Sequence, residues 1–157
     1  MVSTYRNDYY NNNKRNTRNT HLCDYNCGGY ALGTFNWYLP YENYDYSTQS
    51  LYFGKGMTPD EMVDFYAKFM LKDFFGKLRQ INSIKEKTLD EKVIAFRCCK
   101  DDFHFCVRGD NGVWYHKPGS NTIRRIKKKE VFSDEWVSPD GWTVYNSKII
   151  LFAMKKS

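Results

Sequence analysis

The chain has 157 residues, 24 of them Lys or Arg and 18 Asp or Glu, for a formal charge of +6. That length suits one domain with its own core. The aromatic content of 18% excludes a disordered polyelectrolyte despite a mean hydropathy of -0.72. Five cysteines, an odd count, argue against a disulfide frame, and no apolar run is long enough to span a membrane as a helix.

The first twenty residues, MVSTYRNDYYNNNKRNTRNT, are polar and lack the apolar segment of a secretory signal. The expectation is a flexible arm over 1–20 ahead of a single domain over 21–157, with free thiols in a reducing, cytoplasmic setting. Signal-independent export is the alternative. In NCGGYALGTFNWYL, Ala31, Leu32, Phe35 and Tyr38 fall near helical spacing and Pro40 marks a stop. A helix starting at Cys27 follows. Residues 41–57 read as a tyrosine-rich connection with a short strand at Ser50 to Phe53. Tyr38, Tyr41, Tyr44, Tyr46 and Tyr52 either line a cleft or pack the loop.

The clearest helix signal is TPDE at 58–61. Thr58 is the N-cap, Pro59 the first helical residue, and Glu61 completes a capping box. Met62, Phe65, Tyr66, Phe69, Met70, Phe74, Leu78 and Ile81 continue an apolar stripe, which predicts a helix from Pro59 to about Gln80. Beyond it, residues 92–99, 102–108, 112–117 and 147–155 are short β-branched and aromatic runs. NTIRRIKKKEVF holds a possible further strand, and SPDGW at 138–142 is a turn. The order is helices first, then an antiparallel sheet, an α+β protein.

Three histidines occur, at 21, 104 and 116. His104 and His116 sit on strands joined by GDNG. A three-residue loop, Asp110-Asn111-Gly112, suits a type I turn followed by a left-handed glycine. It pairs Gly109 with Val113, so Cys106 faces His116 and His104 faces Pro118. The two imidazoles then share one sheet face as diagonal neighbours, roughly 7–8 Å apart at the backbone. Phe103, Phe105, Val107, Val113 and Tyr115 take the other face. The 59–80 helix is expected to cover that apolar face, and the Cys27 helix the histidine face.

Cys27 at a helix N-terminus meets partial positive charge and free N–H groups, which favour a thiolate. His104 is placed to take its proton and His116 to hold the His104 ring in its working tautomer. The Cys27 N–H is a candidate oxyanion donor. This Cys, His, His order, with NCGGY around the cysteine, resembles the NlpC/P60 branch of the papain-like cysteine peptidases. The likeness rests on residues 26–30, 102–106 and 113–119. It implies a papain-like fold, with N-terminal helices packed on an antiparallel sheet. It also implies hydrolysis or acyl transfer at an amide or peptide bond by Cys27, His104 and His116, without a cofactor. Asn26 and Gly28 stand where that family has Asp and Ser.

Zinc has eight candidate ligands in His21, Cys23, Cys27, Cys98, Cys99, His104, Cys106 and His116. Cys23 and Cys27 make one tolerable pair, but adjacent Cys98 and Cys99 make a poor second, so no metal is expected. The basic run Arg124, Arg125, Lys127, Lys128 and Lys129 reads first as a solvated edge. An acidic or nucleic-acid partner is its functional alternative. For the whole chain, the alternative to an enzyme is a binding or inhibitory protein of the same fold, with an idle site, acting on an intracellular host partner.

Overall fold

The computed structural model describes residues 20–40 and 56–156. The expected arm, apart from Thr20, most of the tyrosine-rich connection and the strand at 50–53 lie outside the described residues. The elements run as a 3-10 turn at Thr20–Cys23, α1 at Cys27–Leu32, α2 at Pro59–Asp73, β1 at Leu78–Ile81 and a 3-10 turn at Ile84–Glu86. Then come β2 at Glu91–Cys98, β3 at Phe103–Arg108, β4 at Trp114–His116, β5 at Arg124–Ile126 and α3 at Lys128–Val131. β6 at Trp136–Val137, β7 at Val144–Tyr145 and β8 at Ile150–Lys155 complete the chain. The protein is α+β: six antiparallel strands in the order β1-β8-β2-β3-β4-β5, with a two-stranded β6-β7 sheet beside them. Among the described residues no helix is long and apolar enough to cross a membrane.

β2 lies centrally and is buried along its whole length, because both faces of the sheet are covered. Ile94, Phe96 and Cys98 alternate onto one face with Phe103, Phe105, Val107 and Tyr115, under Met62, Val63, Tyr66 and Met70 of α2. Full burial of Phe96, Phe105 and Phe152 contributes roughly 1.5–3 kcal/mol each. Val93, Ala95 and Cys106 take the other face with Trp114, Val131, Trp136 and Tyr145. The long helix therefore covers the expected face. The Cys27 helix does not: Cys27, Tyr30, Ala31 and Leu32 pack into the same cluster as α2. The histidine face is covered instead by α3 and the β6–β7 hairpin.

Both N-terminal helices stop earlier than their apolar spacing predicts. The Thr58–Glu61 capping box is formed in both directions, at 3.2 and 3.0 Å. α2 nevertheless ends at Asp73, and Gly76 turns the chain at φ 83°. Leu78 and Ile81 extend the helical stripe in sequence, yet they are the two buried ends of edge strand β1, paired with Met154 and Leu151 of β8. α1 ends at Gly33, whose left-handed φ of 76° lets Thr34 and Phe35 both donate to the Gly29 carbonyl. The other sheet edge, β5, carries exposed Arg124 and Arg125, as its basic composition suggests.

Glu91 opens β2 and accepts from Arg79 Nε at 3.0 Å, Arg79 Nη2 at 2.8 Å and Thr88 N–H at 2.9 Å. Arg79 above all, then Thr88, holds the Glu91 carboxyl down to about 2 from its ordinary 4.5. A carboxylate held low in the native state contributes stability that is present above about pH 4.5 and lost as the pH falls towards 2. Glu91→Gln is expected to lower the urea midpoint at neutral pH and to flatten the loss of stability across that acid window. Parallel acid profiles for the two proteins would remove Glu91 from the account.

Candidate active site on the β3–β4 hairpin

Asn26 fixes the start of α1. Its Oδ1 accepts from Gly29 N–H and from Tyr38 N–H, both at 3.0 Å, while its Nδ2 donates to the Tyr38 carbonyl at 2.8 Å. One buried amide thus caps the helix and pairs with a backbone segment twelve residues on. Gly29 permits this closeness, since a Cβ there would stand 1.8 Å from the Asn36 carbonyl oxygen. Cys27 is the first helical residue, as the sequence predicts.

On the sheet, Val107 pairs with Tyr115 and Arg108 with Trp114. Gly109 N–H donates to the Val113 carbonyl at 2.8 Å, and Gly112 sits at φ 81°. The hairpin register is therefore the one read from GDNG. His104 and His116 meet, with His104 Nε2 2.8 Å from His116 Nδ1. Tyr145 stacks on the His104 ring at 5.5 Å, and Trp136 meets its edge at 6.0 Å. The Tyr145 hydroxyl donates to Asp102 at 3.0 Å. Cys106 lies fully buried on the same face, and its sulfur and the two imidazoles offer ligand atoms all within 4.8 Å of one another. His104, His116, Asp102, Trp136 and Tyr145 line a cleft of about 870 Å3.

Burial pushes His104 well below an ordinary imidazole, and the neighbouring His116 adds to the effect. Burial, then Arg124, pulls His116 down to about 4. Both rings are neutral at neutral pH, so one donates and the other accepts in their shared bond.

Cys27 is reached from the opposite side of β3. The backbone N–H groups of Phe105, the residue after His104, and of Gly28 act on its thiol in the direction that favours the thiolate. Phe105 lies two residues before Val107 and points its N–H the same way, past the last residue of β4. Cys27 stands outside the His104–Cys106–His116 group and outside the cleft walls, and it is 5% exposed. Burial pushes its thiol up to about 12, the two N–H groups notwithstanding. The expectation of a thiolate favoured by the helix end is therefore corrected: desolvation outweighs the six-residue helix.

Several residues at the site escape a reading of sequence alone. Lys117 is fully buried, donates to the Tyr25 carbonyl at 2.6 Å and the Gly119 carbonyl at 2.5 Å, and lies 4.6 Å from the Tyr25 ring centre. Burial lowers it to about 8, and the Cys27 sulfur lies within its field. Its signal is the period-two alternation that sends Lys117 to the face opposite His116. Asp102 carries a weaker one, two residues before His104. Trp136 and Tyr145 carry none, because they arrive on a two-residue-per-strand hairpin. Cys23, the rival nucleophile, is exposed.

Comparison with family models, curated proteins and solved structures gives no match for this chain.

Asn26→Asp keeps the cap acceptor and removes the donor to Tyr38, setting a charged oxygen against a buried carbonyl. The expected cost is about 1–3 kcal/mol in a urea titration. An unchanged midpoint would show that the Asn26–Tyr38 pairing contributes nothing.

Proposed function

We propose that the protein is a cysteine hydrolase or acyl transferase acting on an amide or peptide-type bond, of papain-like, NlpC/P60-like kind. Cys27 is the nucleophile, His104 the general base and His116 the residue that positions it. The observation that carries this reading is the 2.8 Å contact between His104 Nε2 and His116 Nδ1. It leaves His104 Nδ1 as the ring nitrogen available to a thiol. The peptide N–H next along the chain from His104 acts on the Cys27 thiol in the direction that favours the thiolate.

In this mechanism the resting pair is neutral thiol and neutral imidazole. As the sulfur attacks the carbonyl carbon, the thiol proton passes to His104. The Cys27 N–H faces the developing oxyanion. His104 then gives its proton to the leaving amine, and a thioester remains on Cys27. Water or an acceptor amine cleaves the thioester and restores the thiol. Asn26 and Gly28, where the resembled family has Asp and Ser, have local causes. Asn26 must donate as well as accept, and a Cβ at Gly28 would press at 3.0 Å on Tyr38.

A second reading is favoured by the enclosure of Cys27, which is 5% exposed. In it the site is idle and the protein binds a partner. The exposed basic residues from Arg124 to Lys129 at the β5 edge then meet an acidic protein or a nucleic acid.

Site-resolved alkylation separates the two. With a small electrophile near neutral pH, Cys27 is expected to label faster than buried Cys98, Cys99 and Cys106. His104→Gln is expected to slow Cys27 by about 100-fold while leaving exposed Cys23 unchanged. Labelling of Cys27 at the rate of Cys98 and Cys106, or indifferent to His104→Gln, would leave the binding reading in place.

A further inference from the structure

We propose that His104, Cys106 and His116 form a site for a borderline-soft divalent cation of the zinc class, with its remaining position open to the cleft. The register supplies the argument. Pairing of Val107 with Tyr115 sets Cys106 opposite His116, and His104 lies two residues before Cys106 on the same face. Three ligand-bearing side chains thus converge from two adjacent strands, and their ligand atoms lie within 4.8 Å of one another. Tetrahedral zinc has Zn–N of about 2.0–2.1 Å and Zn–S of about 2.3 Å, which sets ligand atoms roughly 3.3–3.6 Å apart. The imidazole pair at 2.8 Å needs to open slightly and the sulfur to close by up to about 1.2 Å, within the reach of side-chain rotation.

The chemistry of the donors agrees. Two neutral imidazoles and a thiolate are preferred zinc ligands. Cys106 is a fully buried thiol, and a cation gives it the charge partner that deprotonation in an apolar face requires. Both histidines line the cleft, so the fourth position faces water or a ligand. Two nearby positive charges oppose the cation: Arg124, which acts on His116 and lines the same cleft, and Arg97. Arg97 pairs with His104 across β2 and β3, with buried Nε and Nη1 lacking hydrogen-bond partners. Its guanidinium lies over Trp136 at 5.2 Å, in the field of Asp134 and Glu135, which offset it.

This pairing differs from the ones weighed from spacing alone, which joined Cys23 to Cys27 and Cys98 to Cys99. The site stands on its own geometry. Its consequence rests on the hydrolase reading: a cation held by His104 Nε2 and His116 Nδ1 displaces the bond that orients the base, and so silences Cys27.

The test is titration of the reduced, chelator-stripped full chain with cobalt(II), followed by visible and near-ultraviolet absorption, with zinc(II) as competitor. Wild type is expected to show one equivalent of tetrahedral cobalt with a sulfur-to-metal charge-transfer band. Cys106→Ser should lose that band, with far-ultraviolet circular dichroism confirming its fold. His116→Gln, at a half-buried position, should weaken binding by at least about tenfold. Cys27→Ser and Cys23→Ser should retain the band. No such band in wild type, or a band that survives Cys106→Ser and vanishes with Cys27→Ser or Cys23→Ser, overturns the proposal. The hydrolase reading fails by a different signal, the His104 dependence of Cys27 labelling in metal-free protein.

Discussion

The turn at Gly112 decides the chemistry of this protein. A left-handed residue at φ 81° closes a three-residue loop, and Gly109 N–H then meets the Val113 carbonyl at 2.8 Å. Side-chain direction alternates with every residue along a strand, so a slip of one would send His104 and His116 to opposite faces. It would also bury His116 among the phenylalanines under α2. Tyr115 penalises such a slip, since it would move from a covered core to an open cleft. Hydrophobic burial on one face thereby fixes the polar constellation on the other.

β3 is a wall between two sulfurs. Cys27 packs in the cluster under α2, whereas Cys106 stands on the cleft face beside the imidazoles. Burial raises the cost of ionising either thiol, and the Cys27 sulfur raises it further for Cys106. Lys117 favours a charged Cys27, and Arg97 a charged Cys106. The protein thus holds two thiols, each with one buried cation in its field, on either side of a single strand.

What the sequence disclosed was local and periodic. The Thr58–Glu61 capping box, the GDNG loop and the alternation along FHFCV each constrain their own neighbourhood, and each is realised. Where periodicity was carried past a glycine it misled. Leu78 and Ile81 sit at helical intervals from Phe74 but belong to a strand, because Gly76 in the left-handed region breaks the helix and pairing with β8 satisfies the backbone. Phe35 likewise lies at helical spacing from Leu32, yet Gly33 ends α1 first. The face covered by α1 was not legible either. All six of its residues are buried, so amphipathicity gives no direction. The environment of Lys117 and the arrival of Trp136 and Tyr145 are tertiary facts, fixed by contacts between segments distant in the chain, as between Lys117 and Tyr25, 92 residues apart, and between Tyr145 and Asp102, 43 apart.

The cleft and its cover depend on each other. Strands β6 and β7 contribute two residues each, too few to hold a hairpin in water unaided. Its attachment runs through Trp136, which donates to the Val131 carbonyl at 2.8 Å and meets Arg97, and through Tyr145, stacked on His104 and bonded to Asp102. The same Tyr145 ring restricts the His104 imidazole to the plane in which Nε2 reaches His116. Removing the hairpin would free the ring as well as open the cleft. Ordering the hairpin, by a ligand lying against Val137, Thr143 or Asp140, would tighten the histidine pair in turn. Occupancy of the cleft and orientation of the His104 ring are therefore coupled, with the Tyr145 ring as the element they share.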